Sequence, residues 1–304
     1  MEPLEILMAA DATYARQLAV AVTSLAATAD RPCRVWVLHD RSAGIDLARA
    51  LDPVRADLSI ETVAVDAAMT AYAPLFSPRS MLYRLLLGEV LPAELTRVLY
   101  LDVDIVVRRP LTELWESDTG DAVIGAVRDA YRPWVVRDPR LPWRERGVPP
   151  NAPFFNSGMM LVSLPRWRAR EIGPQALAVT ESIPVMDQCA LNTVIAGDFA
   201  ALHPRWNVQS YHLTGDECLA YGAEGRDRVD EALADPAIVH FTGGTFNRPW
   251  EAPCGNPYAR EWIEWLDRTE WRGWRPRPVP PTTRAVRRAQ RAWRVLRRGG
   301  RGLD

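Results

Sequence analysis

The chain has 304 residues, 48% of them hydrophobic and 25% charged, which suits one large globular domain with an appendage and excludes a disordered or fibrous protein. No run of about 18 apolar residues occurs, which excludes a membrane-spanning helix, and Met1-Glu2-Pro3-Leu4-Glu5 lacks the features of a secretory leader. The net charge of −1 combines a balance of +7 between Arg284 and Asp304 with −8 over residues 1–283, so the body does not read as nucleic-acid-binding.

In chain order, Leu4–Ala10 is predicted as a strand and Tyr14–Ala27 as a helix that packs through Leu18, Val22 and Leu25. A second strand (Arg34–His39), a helix (Ile45–Ala56) and a third strand (Ser59–Val65) follow, then a helix over Arg79–Val90. The run from Arg97 to Val107 reads as one buried strand, and Ala122–Val127 and Gly158–Leu164 are further strands. Strands alternating with helices of about 10–15 residues indicate βαβ units and a mostly parallel sheet. Residues 131–153, with six Pro, two Trp and five Arg, are expected to form an ordered lid loop. A loop-rich zone (203–230), a last strand (Ala237–Thr242), a helix (Tyr258–Asp267) and a Pro/Arg/Trp linker (Trp271–Pro281) lead to the basic C-terminal segment.

The most informative segment is Leu101-Asp102-Val103-Asp104-Ile105. Two unpaired buried carboxylates would cost several kcal/mol, so they are expected at the strand's exposed C-terminal edge with a cation between them. That edge is where open α/β sheets bind ligands, and oxygen ligation suits Mg²⁺ or Mn²⁺ holding a diphosphate. There is no Lys, which removes P-loop and Schiff-base lysine chemistry. Cys33, Cys189, Cys218 and Cys254 are scattered, without a Cys-x-x-Cys pair.

Other clusters accompany Asp102 and Asp104. Ala9-Ala10-Asp11, with Tyr14, suits the approach of a flat ring, although Asp11 also fits a helix N-cap. Arg84 is placed to pair with Asp102 or a phosphate, or to lie on the surface. In Phe155-Asn156-Ser157-Gly158, Asn156 offers a donor and an acceptor for sugar hydroxyls. Asp187-Gln188 opens a helix, where an N-cap role for Asp187 competes with a functional one. His240, at a strand end before Gly243-Gly244 and Arg248-Pro249-Trp250, suits a metal ligand or a structural histidine.

In this order the clusters resemble glycosyltransferase family 8, from about Leu4 to Trp265, most specifically over Leu82–Leu114. The resemblance implies a GT-A fold over residues 1–270, a UDP-glucose or UDP-galactose donor, Mn²⁺ or Mg²⁺, and retention at the anomeric carbon. It assigns Asp102, Asp104 and His240 to the metal and Ala9, Asp11 and Tyr14 to uridine. Arg84, Asn156, Asp187 and Gln188 fall around the donor sugar, Gly243 and Arg248 at the pyrophosphate, and Asp129 on the acceptor side. Two departures stand out: Thr13 replaces a frequent Asn, and Arg248 replaces a usual Lys two residues further from His240 than is common.

Gln188, where retaining hydrolases hold a carboxylate, is a poor nucleophile, so same-face attack is the expected mechanism. Asp187 is the other candidate for a catalytic role. Two competing readings are a nucleotide-sugar-binding module without transfer and a haloacid-dehalogenase-type phosphatase. The latter normally needs its Asp-x-Asp on the first strand and a downstream Lys. The acceptor is open: glycan, lipid-linked, small molecule or protein. The protein is expected in the cytoplasm. Across residues 284–301, Val286, Ala289, Trp293 and Leu296 form a helical stripe among arginines, which suits peripheral contact with an anionic inner membrane face.

Overall fold

The computed structural model describes residues 2–40, 45–65, 79–132, 134–135, 141, 143–182, 186–214, 222–243 and 247–277. The basic tail thus lies outside the described residues. Seven strands form the main sheet in the order β3 (Ser59–Val65), β2 (Cys33–Asp40), β1 (Leu4–Ala10), β4 (Arg97–Leu101), β7 (Phe155–Ser163), β6 (Ile124–Arg128), β8 (Ala200–Ala201). All pairings in it are parallel except those of β7, which runs antiparallel to both β4 and β6.

Alternation along the central strands divides the core into two layers. Leu4, Ile6 and Met8 of β1 join Leu99 and Leu101 of β4 against Leu18, Val22 and Leu25 of α1 (Ala15–Thr28). Leu7, Val98 and Tyr100 face the other way, toward Leu82, Leu86 and Trp167. Side chains of period two on a sheet covered on both faces leave nearly every position of β1 buried, as its sequence requires.

The run 97–107 is two strands, not one. β4 ends at Leu101, and the chain crosses through Asp102-Val103-Asp104 into β5 (Ile105–Val107). With β10 (Ile238–His240) and β9 (Val208–Gln209), β5 makes a second sheet in the order β5-β10-β9. Continuous hydrophobicity conceals the break, because both strands are buried.

Helices α2 (Leu47–Leu51), α3 (Leu87–Val90) and α4 (Thr112–Trp115) are short. Pro53 follows α2 in a 3₁₀ turn, and Arg79–Leu86, expected as α-helix, winds as a 3₁₀ helix. Helices α5 (Leu164–Ala169), α6 (Ile172–Ser182) and α7 (Asp187–Ile195) carry much of the second layer. The zone 203–230, expected as loop, contains most of α8 (Gly222–Ala234). Two glycines at its start hide it, while Val229 and Ala232 are buried. Helix α9 (Ala259–Leu266) buries Trp262 and Leu266.

Within the expected lid, Trp134 bridges Pro153, Val135 N–H donates to Ala152 O at 3.0 Å, and Leu141 and Val148 are buried. Beyond α9, Trp271 and Trp274 receive Arg49 and Arg16 over their rings at 4.6 and 4.4 Å.

Candidate active site

The main sheet's order reverses between β1 and β4, and the crevice outside their C-terminal ends is where ligands collect in such sheets. Because β7 is antiparallel, its beginning meets the end of β4, and Asp102 N–H donates to Gly158 O at 2.8 Å. Asp104, next to β5, and His240, ending β10, arrive from the smaller sheet. His240 Nε2 lies 3.1 Å from Asp104 Oδ1 and 3.6 Å from Asp102 Oδ2. The three residues offer ligand atoms all within 4.8 Å of one another.

Two carboxylates and an imidazole fit a divalent ion of the Mn²⁺ or Mg²⁺ type. Gly158 makes the cluster sterically feasible. A Cβ there would stand 2.1 Å from His240 Cε1 and 2.8 Å from Asp102 Oδ2. Burial alone would raise Asp104's pKa, but the charge and hydrogen bond of His240, with Arg248 and Arg84, together hold it below the usual range. Burial would likewise lower His240, yet the charge of Asp104, their hydrogen bond and Asp102 keep it raised.

Arg84 is buried and spent on protein partners. Its Nη2 meets Asp102 Oδ1 at 2.7 Å, its Nε meets Asp187 Oδ2 at 2.9 Å, and Nη1 donates to Ser157 O at 2.9 Å. Its guanidinium lies 4.7 Å from the centre of the Tyr100 ring, whose hydroxyl donates to Asp102 Oδ1 at 2.8 Å. Burial opposes its charge, but Asp102 and Asp187 more than offset this and leave the pKa raised. Burial also pushes Asp187's carboxyl up, against the pull of Arg84. Asp187 is therefore not the N-cap of α7; Met186 holds that position, and Asp187 pairs with Arg84 instead.

A second polar lattice surrounds Gln188. Its Nε2 donates to Asp129 Oδ2 at 2.9 Å, and its Oε1 accepts from Ser157 N–H and Asn156 Nδ2, both at 3.2 Å. Asp129 Oδ1 accepts from the backbone N–H groups of Tyr131 and Arg132 at 3.0 and 2.6 Å. Asn192, one turn along α7, holds the edge of β7 through Phe155 N–H and O, at 2.8 and 2.9 Å.

Ala9 and Tyr14 lie at the other side of the cleft, whose volume is about 340 Å³. Burial, then Asp104's charge, pushes the Tyr14 phenol up to about 12, so it remains a hydrogen-bond donor at neutral pH. Gly243 and Arg248 line the same cleft. Gly243 has φ +91°, and a Cβ on it would meet Asn247 and Tyr211 at 3.1 Å. Arg248 Nη1 lies 3.4 Å from Glu251 Oε1.

Every site residue assigned from the family resemblance lines this cleft except Asp11. Asp11 caps the turn Ala12–Tyr14, accepting from Thr13 N–H at 2.9 Å, and its other oxygen accepts from Ser80 Oγ at 2.9 Å. Sequence reasoning missed Tyr100, Ser157 and Asn207. Tyr100 and Ser157 adjoin motif residues, a usable signal; Asn207 lies in an aperiodic turn and has none.

Comparison with known proteins identifies the class to which this mixed α/β sheet, with its crossing acidic turn over a strand-end histidine, belongs. Residues 5–254 match the profile of "Glycosyl transferase family 8". The chain is 29% identical over 285 residues to general stress protein A of Bacillus subtilis, covering 88% of this chain and 94% of that one. It is 25% identical over 195 residues to a lipopolysaccharide 1,3-galactosyltransferase of Salmonella typhimurium, covering 60% and 52%. Its fold is similar to that of the galactosyltransferase LgtC in complex with donor and acceptor sugar analogs, with TM-score 0.75, 27% identity, and 93% and 99% of the two chains covered. The chain belongs to glycosyltransferase family 8 and has the GT-A fold.

Proposed function

We propose that residues 1–270 form a retaining, metal-dependent glycosyltransferase that moves glucose or galactose from its UDP-sugar to an acceptor hydroxyl. The observation that carries this reading is the convergence of Asp102, Asp104 and His240 in the cleft that also holds Gln188 and Arg248. A bound Mn²⁺ or Mg²⁺ supplies charge stabilisation to the diphosphate leaving group. Arg248 supplies a further positive charge to the same group. Ala9 and Tyr14 take the uracil and ribose, with Asp11 holding the turn behind them. Gly243 allows the backbone to approach the phosphates.

In the transfer, the bond from anomeric carbon to phosphate oxygen breaks and its electrons leave with UDP. The acceptor oxygen forms the new bond on the same face, and its proton passes to the departing phosphate oxygen. Same-face attack is favoured over a covalent sugar intermediate, for which Asp187 is the alternative carrier. Gln188 Oε1 already accepts two N–H donors, and Asp187 is 2% exposed and held by Arg84. Gln188 instead stabilises the cationic sugar, held in place by Asp129 at the acceptor side. The segment 131–153, whose Tyr131 and Arg132 line the cleft, serves as a lid.

The test is incubation with UDP-glucose and UDP-galactose, with Mn²⁺ or with excess EDTA, followed by NMR of the anomeric proton. Metal-dependent release of an α-configured sugar or glycoside is expected from one donor. Full activity in EDTA or an inverted product overturns the reading, and binding without turnover leaves only a nucleotide-sugar-binding module.

The acceptor's surroundings are proposed from the tail. Among the described residues no helix is long and apolar enough to cross a membrane. A narrow stripe with one Trp among eight arginines suits weak, reversible docking of a cytoplasmic enzyme on the anionic inner face of a membrane. Cosedimentation with anionic and neutral vesicles, with and without residues 282–304, checks this. Equal, negligible binding of both chains to anionic vesicles refutes it.

A further inference from the structure

We propose that Asn207 is a positioning residue for the metal centre: its side-chain oxygen holds His240 in the Nδ1–H tautomer and thereby presents a bare Nε2 to the cation. The inference rests on the metal-dependent reading above, and it concerns a residue outside the ligand set.

Fixed end points determine the orientation of every amide in the chain of contacts. A backbone N–H only donates and a carboxylate only accepts. Gly158 N–H lies 3.1 Å from one side-chain atom of Asn156, which is therefore Oδ1. Asp129 Oδ2 lies 3.1 Å from the other, which is therefore Nδ2. These two constraints are independent and agree. Asn156 Oδ1 is met at 2.9 Å by Asn207, which must donate and so presents Nδ2. The remaining Asn207 atom, Oδ1, faces His240 Nδ1 at 2.9 Å. An amide oxygen only accepts, so Nδ1 carries the hydrogen. Nε2 faces Asp104 and Asp102; with no cation it donates to Asp104, and it is the nitrogen free to give up its hydrogen and act as the ligand atom when a cation binds.

Burial closes the alternatives. Asn207, His240 and Asn156 are 0%, 3% and 5% exposed, so solvent does not compete for these contacts. The outcome is a one-way chain from Asp129, on the acceptor side, through two amides to the metal-facing nitrogen. A partner on the far nitrogen of a ligating histidine fixes both ring orientation and tautomer.

The experiment has two arms on the full-length chain. Long-range ¹H–¹⁵N spectra of histidine-labelled protein, with His240 assigned from His240→Gln, read the tautomer in the Mg²⁺-loaded protein. A protonated Nδ1 and bare Nε2 are expected. The second arm titrates Mn²⁺ alone by electron paramagnetic resonance. Asn207→Leu, which removes the acceptor, should weaken Mn²⁺ binding about 10- to 100-fold, whereas Asn207→Asp, which keeps one, should weaken it by less than about 10-fold. A purely structural role for Asn207 would move neither the tautomer nor the difference between these variants.

A bare Nδ1 with Nε2–H in the Mg²⁺-loaded wild-type chain overturns the proposal, as does unchanged Mn²⁺ affinity in folded Asn207→Leu. If Asn207→Leu fails to fold, the wild-type tautomer and the Asn207→Asp titration decide: that same bare Nδ1 with Nε2–H, or loss of Mn²⁺ binding in Asn207→Asp, overturns it. A wild-type chain that takes up no Mn²⁺ instead overturns the metal-dependent reading itself.

Discussion

The two sheets contribute to the cleft in different ways. The seven-stranded sheet supplies Ala9, Asp102, Asp129 and Asn156 from the ends of long strands buried on both faces. The three-stranded sheet, with strands of two or three residues, places Asp104 just before β5, Asn207 in the 3₁₀ turn just before β9, and His240 at the end of β10. Val107 N–H donates to Ser24 Oγ of α1 at 3.1 Å, and Phe241 N–H to Asp104 O at 2.9 Å extends the pairing of β10 with β5 to the acidic turn. The metal-type cluster straddles the seam, so its geometry depends on how the small sheet seats against the large one. Stability and ligand geometry are therefore expected to separate, with changes on the large sheet costing stability and changes on the small sheet altering the ligand cluster.

The largest effect tests that separation directly. Asp104→Asn and Asp102→Asn should each lower transfer by about 10³-fold or more, because several kcal/mol of leaving-group stabilisation depend on the metal. Their stabilities should differ. Asp102 also anchors Arg84 at 2.7 Å and accepts from Tyr100, so its loss costs about 1–3 kcal/mol of folding stability. Asp104→Asn leaves Arg84 with both its carboxylate partners and should unfold at nearly the wild-type urea concentration. Equal destabilisation of the two variants would mean that the seam acts as one unit.

One pH effect belongs to the small sheet. His212, behind β9, is buried and accepts Gln209 N–H at Nδ1, 3.0 Å away. Burial lowers its pKa from 6.5 to about 4. The unfolded chain therefore binds a proton between those values that the folded chain does not, so stability falls as pH drops through that window and is unaffected above it. The full loss is about 3 kcal/mol. Urea unfolding at pH 7, 5.5 and 4 should show a shallower decline in His212→Asn than in the wild type. Parallel declines would place the acid sensitivity elsewhere.

Gln188→Ala is the next test, with an expected fall in kcat of about tenfold or more and little change in KM for the donor, the signature of an interaction made mainly in the transition state. A rise in KM alone would reduce Gln188 to sugar binding.

The same division explains what could be read from the sequence. β1 and β3 coincide with the predicted strands, and β2 and β10 differ only at their ends, because apolar runs bounded by polar turns are local signals. The split between β4 and β5 is invisible locally, since the partner that defines β5 is β10, more than a hundred residues away. Asp102, Asp104 and His240 could be singled out because carboxylates at strand ends and a histidine before Gly-Gly are conspicuous in one dimension. Asn207 could not: its partners, Asn156 and His240, are 51 and 33 residues away. Arg84 was legible as a partner of Asp102 or a phosphate, and the structure shows the Asp102 pairing, but its second carboxylate, Asp187, was not legible. Helix α8 was lost to its own glycines, and α2 was shortened by Pro53.

The smallest expected effect probes the large sheet's outer layer. Arg49 on α2 is exposed, lies 4.6 Å from the centre of the Trp271 ring, and donates to Glu270 O at 3.0 Å. Through it the segment after α9 is tied to a helix on the large sheet. An exposed cation–π contact is worth about 0.5–1 kcal/mol, so Arg49→Ala should lower unfolding stability by about 1 kcal/mol. α2 contributes no residue to the cleft, and Mn²⁺ affinity should stay at the wild-type value. Measured together by urea unfolding and Mn²⁺ titration, these two numbers ask whether a loss confined to the large sheet's periphery reaches the seam. A weaker Mn²⁺ affinity in Arg49→Ala would show that it does, and the two sheets would then have to be treated as one mechanical body.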